Sequence, residues 1–350
     1  MGKFRVGIIG CGRPWGDAGR SGCGQAHMHI LGYKESKDCE IVAAADIKKE
    51  NLDKFTAEYT IPKGYLDYHE MFAKEKIDIV SLCVWPKLHG PMTFDSVDAG
   101  VKAIHCEKPI APTFGEAKEM VECCAKKGVQ LTFNHQRRFG KPFRKAKELI
   151  ETGAIGKLER IEMYTHNLYD WGTHWFDMMF YYNNEEPVEW VMGQVDGRGS
   201  MKIFDALVEG QGLSYLKFKN AVFGFMSTGF GRSEACAHRI CGSDGVIEVW
   251  VKNGPAVRLK NMETKGEWKT FEVGLADDVK HDNIQTVLDL VVALKNKREP
   301  MLSGRKALAA TELIFATWES ARRRGRVDLP LNITDSPLVT MVEEGELVTA

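Results

Sequence analysis

The chain has 350 residues, 47 of them basic and 48 acidic, and a formal net charge of −1. That length allows two domains with a core each, and the charge balance argues against a nucleic-acid partner or an acidic tail. No apolar run reaches the ~18 residues of a membrane span, and the N-terminus lacks the apolar core of a secretory signal, so no membrane partner is expected. Nine scattered cysteines, odd in number and including the vicinal pair Cys123-Cys124, form no CxxC pair. A reduced, cytoplasmic setting is expected rather than a disulfide framework. The ten histidines contain no HExxH spacing, and no metal site is expected.

The apolar run from Phe4 to Gly10 predicts a first strand. Gly10-Cys11-Gly12 then opens a G-x-G-x-x-G turn of the kind that cradles a dinucleotide pyrophosphate. Its third glycine is Gly16 or Gly24. Gly24 is favoured because Gly24-Gln25-Ala26-His27 runs straight into a helix-like segment. Asp46 also follows it by 22 positions, close to the ~20 expected for a ribose-binding acid. Asp46 closes a predicted strand, Ile41 to Ala45. A carboxylate there accepts from the ribose 2′-hydroxyl and repels a 2′-phosphate, which favours NAD over NADP, although Lys48 and Lys49 soften the preference. Its plainer role is a helix N-cap.

Residues 13–23 interrupt the glycine turn and must loop outward from it. The insert carries Arg13, Trp15 and Arg20. It is predicted to fold over the cofactor, with Arg13 or Arg20 near the phosphates and Trp15 closing part of the pocket. The plainer reading is a surface loop without a role.

Further on, Leu52 to Tyr59 reads as helix and Ile77 to Val84 as strand. Trp85-Pro86-Lys87-Leu88-His89 leads to a helix from about Gly90 to Ala99. Val101 to Ile104 is the end of a strand running into His105-Cys106-Glu107-Lys108-Pro109. Thr113-Phe114-Gly115-Glu116 is a capping box that opens a helix ending near Gly128, and Val129 to Phe133 is a strand. Such alternation predicts a parallel, doubly wound sheet over 1–134.

After Asn134 the texture changes. Pro142 to Thr152 is a helix closed by Gly153. The stretches Leu158 to Asn167, Val188 to Val195, Leu213 to Met226 and Arg239 to Val251 are β-rich, with turn signals at Lys219-Asn220 and Asn253-Gly254. Helices are predicted over about Asp170 to Tyr182, Lys280 to Lys297 and Gly304 to Arg324. The region 135–350 is therefore expected to be an α+β domain whose open, mostly antiparallel sheet has helices on one face. Its other face needs covering, which self-association into a homo-oligomer would supply.

Two places concentrate chemistry. Lys108 stands at a strand's carboxyl end, the edge where open α/β sheets bind ligands, and a lysine there can give a proton or a hydrogen bond to a substrate oxygen. Pro109 fixes the chain direction after it. The plainer reading is a Glu-Lys surface pair. In the second place, Asp170, His174 and Asp177 fall at i, i+4 and i+7, one face of a helix. The two acids would orient the imidazole, which can take a proton from a hydroxyl during hydride abstraction. The plainer reading is a solvent-facing polar stripe over a core of Trp171, Trp175, Phe176 and Met179.

On these residues the chain resembles the Gfo/Idh/MocA oxidoreductases over nearly its whole length. Glu107-Lys108-Pro109 is the most specific motif. Also similar are the split glycine loop running into His27, Pro86 with His89, Asn134 with Arg138-Phe139, Asp170-x-x-x-His174, Ser303-Gly304 through Ser320, and Val327-Asp328-Leu329-Pro330-Leu331. The resemblance implies a Rossmann domain followed by an α/β domain with an open antiparallel sheet. It implies NAD(P)-dependent oxidation or reduction of a ring hydroxyl of a sugar or cyclitol. Lys108 would reach both nicotinamide and substrate, His174 would be the acid/base, and Asp170 would support the proton relay. Cofactor contacts would come from Gly10, Gly12, Arg13, Gly24, His27, Asp46, Pro86, His89, Glu107, Lys108 and Asn134. Arg137 and Tyr169 would join Lys108, Asp170 and His174 around the sugar, although aromatic residues are more often core.

The chain departs from the family at Lys87, where many members have asparagine, and at the insert. Arg13-Pro14-Trp15 and the Asp-Trp-Gly-Thr-His run ending at His174 are similar to a branch that includes glycoside 3-dehydrogenases, which oxidise C3 of a glucosyl ring. The leading expectation is an NAD-dependent dehydrogenase. The alternatives are an NAD-dependent glycosidase acting by transient C3 oxidation and elimination, and a dinucleotide-sensing regulator. Retention of Lys108, Asp170 and His174 weighs against the regulator.

Overall fold

Short apolar runs punctuated by glycine and proline become the strands of a parallel sheet in the first part of the chain. A computed structural model describes residues 2–12, 24–229, 235–275 and 277–349. The elements there are β1 (Phe4–Ile9), α1 (Ala26–Glu35), β2 (Cys39–Ala45), α2 (Lys49–Tyr59), β3 (Gly64–Tyr65) and α3 (Tyr68–Lys74). They continue with β4 (Ile79–Leu82), α4 (Pro86–Asp98), β5 (Ala103–Cys106), α5 (Phe114–Lys127) and β6 (Gln130–Phe133). The strand order is β3-β2-β1-β4-β5-β6, all parallel. Every residue of β4 and β5 is buried, as expected for strands covered on both faces. The order reverses between β1 and β4, which opens a crevice at their carboxyl ends.

The Thr113 hydroxyl accepts from Glu116 N at 3.3 Å and starts α5, which stops at Gly128 with φ of 70°. α4 begins at Pro86 rather than near Gly90, because proline is well suited to a helix's first position. His89 therefore sits in its first turn. β3 and α3 were not expected. A two-residue strand leaves no periodicity to read, and α3 rests on a local cap, Asp67 accepting from His69 N at 2.9 Å.

Two compact units emerge, Met1–Gln136 with Val279–Leu308, and Arg137–Asp278 with Ala309–Ala350. A single boundary at 134/135 is thus corrected by one excursion, since the helix Val279–Asn296 belongs with the parallel sheet. The reason is packing. A Cβ on Gly32 of α1 would lie 2.5 Å from Val287 Cβ, so glycine alone allows the two helices to meet. Val287, Leu290 and Val291 share a core with Val6 and Ile8.

The second unit holds α6 (Lys141–Glu151), β7 (Leu158–Thr165), α7 (Gly172–Tyr182), β8 (Val188–Asp196), β9 (Met201–Ile203), β10 (Ala206–Val208), β11 (Gln211–Phe218) and β12 (Phe223–Thr228). β13 (Cys236–Gly242), β14 (Gly245–Val251), β15 (Val257–Asn261) and β16 (Lys269–Phe271) follow. The helix already described is α8, and α9 (Gly304–Arg323), β17 (Val327–Asp328) and α10 (Pro337–Glu343) close the chain. Nine strands form a sheet ordered β16-β15-β14-β13-β7-β12-β11-β8-β17. β7 and β12 pair in parallel, and the other neighbours are antiparallel. Arg239 to Val251, expected as one stretch, is two strands turning at Gly242-Ser243-Asp244-Gly245. On β11, Gly212, Ser214, Leu216 and Phe218 are buried while Leu213 and Tyr215 are exposed, the alternation of a half-covered sheet. Among the described residues no helix is long and apolar enough to cross a membrane.

Candidate functional site

The first unit gathers its motif residues at the carboxyl ends of β1, β2, β4, β5 and β6. Gly10 has φ of +87°, and a Cβ there would lie 2.4 Å from Cys83 O on the chain leaving β4. Gly12 has φ of +58°. Neither glycine carries a side chain that would keep a phosphate from the backbone. The Asp46 carboxylate closes the turn, with Oδ2 accepting from Cys11 N at 2.9 Å and Gly12 N at 3.3 Å and Oδ1 from Lys48 N at 2.8 Å. Gly24 starts the approach to α1, its carbonyl accepting from His27 N at 3.1 Å.

At the end of β5, Glu107 is buried and fully engaged. Oε1 accepts from His29 Nε2 at 2.9 Å and Asn134 Nδ2 at 2.7 Å, and Oε2 from Lys108 N at 3.3 Å. Burial pushes this carboxyl up, but the bonds from His29 and Asn134 together with the His29 and Lys108 charges hold it below its ordinary value. Asn134 Nδ2 also donates to Asn283 Oδ1 at 2.7 Å, so α8 helps fix the network. Lys108, half-buried, follows this anchor, and the Lys108–Pro109 peptide is cis. No motif or spacing pointed to His29, Ser81 or Asn283. His29 Nδ1 lies 3.2 Å from Ser81 Oγ, which lies 2.9 Å from Tyr33 Oη. Such buried partners come from elements that only the fold brings together.

Several expected cofactor residues have structural duties. His89 is fully buried, with Nδ1 3.0 Å and 2.9 Å from the carbonyls of Pro109 and Ile110 and Nε2 3.0 Å from Val84 O. Burial pushes its pKa down against those carbonyls, and a neutral ring donates on one side only. It staples the loops after β4 and β5. Pro86 is buried at the first position of α4. His27 Nδ1 lies 2.9 Å from Tyr59 Oη on α2, with Phe55 edge-on to its ring. His27-Met28-His29 is an HxH spacing, yet the two imidazoles reach different partners. Among the described residues no group of three His, Cys, Asp or Glu is arranged to hold a metal. Arg13, Trp15 and Arg20 lie outside the described residues.

In the second unit, α7 begins at Gly172, so Asp170 precedes the helix and the i, i+4, i+7 stripe does not form. Asn167 is the cause. Its Oδ1 accepts from Asp170 N at 2.7 Å and its carbonyl from Gly172 N at 2.8 Å, a local turn that competes with helix. A Cβ on Gly172 would lie 2.9 Å from Asn167 O. Both oxygens of Asp177 accept from Arg138. His174 is buried on α7, and the Trp171 ring stands edge-on to it at 6.4 Å. Asp170 is also buried. Tyr169 is packed inside the unit, stacked on Trp318 at 6.0 Å and 27°. Arg137 is buried with its guanidinium 4.7 Å from the Trp250 ring and 5.7 Å from the Trp171 ring, and it pairs with Asp277.

Residues 4–135 match the oxidoreductase family described as an NAD-binding Rossmann fold. The chain is 27% identical to the myo-inositol 2-dehydrogenase of Thermotoga maritima, covering 93% of this chain and 98% of that protein. It is 22% identical to the D-apiose dehydrogenase of Paraburkholderia graminis, over 98% and 94%. Among solved structures, the WlbA dehydrogenase of Bordetella pertussis in complex with NADH and UDP-GlcNAcA superposes with a TM-score of 0.74. It covers 95% of this chain and 99% of its own at 22% identity. An Agrobacterium radiobacter oxidoreductase in complex with NAD+, L-tartaric acid and magnesium gives 0.76 at 18% identity, over 93% and 98%. These likenesses show the shared fold.

Proposed function

Because the chain belongs to the Gfo/Idh/MocA family of oxidoreductases, we propose that it oxidises a ring hydroxyl of a sugar, glycoside or cyclitol with NAD, or reduces the matching ketone. The observation that carries this reading is Lys108, at the carboxyl end of β5 with its main chain held by buried Glu107, in the same sheet whose β1 ends in the glycine turn. The turn fits a dinucleotide, since Gly10 and Gly12 occupy conformations that leave the backbone open to a pyrophosphate.

Gly10, Gly12 and Gly24 hold the backbone beside the pyrophosphate. Asp46 accepts from a ribose hydroxyl and disfavours a 2′-phosphate, so NAD is preferred over NADP. Bound NAD supplies the hydride acceptor. His174 takes the hydroxyl proton, supported by Asp170. Lys108 donates to the substrate oxygen and stabilises charge developing on it. Buried Arg137 holds Trp171, edge-on to His174, in place. The full-length likeness to a myo-inositol 2-dehydrogenase supports a cyclitol or sugar as substrate. The exposed apolar side chains Met192, Leu213 and Tyr215, with Trp190 and Phe223 ringed against Tyr215, support a second copy of the chain on that sheet face.

The test is a screen of inositols, aldoses and glycosides with NAD and with NADP, read by absorbance of the reduced cofactor. The reading expects NADH with an intact keto product from at least one of them. An aglycone released without net NADH would identify the eliminating glycosidase instead, and NADP preference would overturn the role of Asp46.

A further inference from the structure

Glu209, in the short connection from β10 to β11, is an acid buried to 2% exposure. Among the described residues its oxygens face donors alone. Oε1 accepts from Leu168 N at 2.6 Å and from the Thr228 hydroxyl at 3.2 Å, and Oε2 from Trp318 Nε1 at 3.1 Å. Its own amide also faces it, and among the described residues no charged side chain does. The Leu168 amide belongs to the turn 167–172 that carries Tyr169 and Asp170 and feeds into α7 and His174. Trp318, which donates to Glu209, also stacks on Tyr169. Leu168 in turn packs on Gly212, where a Cβ would lie 2.9 Å from Leu168 Cδ1. The turn is thus held internally by Asn167 and anchored to the sheet by one buried carboxyl.

We propose that Glu209 is a positioning residue, whose carboxyl seats the 167–172 turn on the nine-stranded sheet and thereby aims Asp170 and His174. The proposal rests on the roles given to those two residues above, but the seating of the turn can be read separately. Burial pushes the Glu209 carboxyl up to about 7, against the pull of its donors. A raised acid contributes stability that is full below its ordinary 4.5 and is lost as pH rises through about 7. Below about 7 an opening of the turn that wets Glu209 releases its proton, so opening becomes easier as pH rises towards 7 and levels off above it.

Hydrogen–deuterium exchange of the full chain, read on peptides spanning 166–172 and corrected for intrinsic rate, tests the seating. In Glu209→Leu the amides 168–172 should exchange about tenfold faster, with α1 peptides unchanged as the sign of an intact fold. Glu209→Gln keeps one acceptor oxygen and should show a smaller increase. The wild type should lose protection in this turn as pH rises through about 7, and Glu209→Gln should lack that step. If Glu209→Leu does not fold, the pH step decides through Glu209→Gln alone. Wild-type protection in both variants, or a pH step retained by Glu209→Gln, overturns the proposal. Turnover on the polyol that reduces NAD fastest separates the two claims. A lowered kcat with little change in KM is expected for Glu209→Gln. If His174→Asn keeps full turnover, the catalytic reading fails while the exchange result stands. If His174→Asn is inactive and Glu209→Gln has wild-type kcat and KM, the positioning claim fails.

Discussion

Arg138 grips Asp177 in a two-pronged fork, Nε to Oδ2 at 2.7 Å and Nη2 to Oδ1 at 2.8 Å, with both side chains buried. Glu185 takes another guanidinium nitrogen of the same arginine. Removing one member of such a pair leaves a buried charge under-compensated, at roughly 3 kcal/mol. Asp177→Asn should therefore lose about 3 kcal/mol in urea denaturation, while NADH binding by the folded variant stays near wild type. A variant as stable as wild type would show that the fork is dispensable.

Gly10→Ala places a Cβ 2.4 Å from Cys83 O at a φ of +87°. Both the contact and the left-handed backbone are unfavourable, together roughly 2–4 kcal/mol. The expected outcome is a lower melting temperature and NADH affinity weakened about tenfold or more. Wild-type affinity and melting would mean that β1 and β4 separate without consequence.

Asp46→Ser should narrow the preference for NAD by raising kcat/KM with NADP relative to NAD, because the repelling carboxylate is gone. The same substitution removes an acceptor from Cys11 N and Gly12 N, so affinity for both cofactors should also fall. An unchanged NAD-to-NADP ratio would remove Asp46 from the cofactor site.

Glu107 gives a pH prediction with a definite sign. Burial raises its carboxyl, but His29, Asn134 and Lys108 overcome that and hold it below the ordinary 4.5. A depressed acid contributes stability that is present above its ordinary value and lost as pH falls through the folded one. Wild type should exceed Glu107→Gln by about 2 kcal/mol at neutral pH, and the gap should shrink below about pH 4.5. Urea midpoints along a pH series measure it. A gap that widens in acid would contradict the charge state assigned to Glu107.

The parallel sheet was legible because β4 and β5 are short, mostly apolar runs and α5 begins on a capping box. Lys108 and Asp46 were legible because motif spacing ties them to strand ends. The polar helical stripe failed because Asn167 holds Asp170 in a turn, and helical spacing assumes a helix that starts earlier. Arg138 was visible only as a motif residue, since its fork to Asp177 spans separate elements. Glu209 carries no local signal at all. Between Val208 and Gly210 it reads as an ordinary turn charge, and only the packing of Trp318, Thr228 and Leu168 around it makes it unusual. The membership of α8 in the first unit depends on Gly32 meeting Val287, a contact between residues far apart in the chain.

The measurement that bears most directly on the proposed chemistry is the rate of NAD reduction by Lys108→Ala, on the fastest substrate of the screen, at saturating NAD. A loss of about a hundredfold or more in kcat is expected, with NADH binding retained. Turnover undiminished from wild type in this variant would contradict the proposed chemistry.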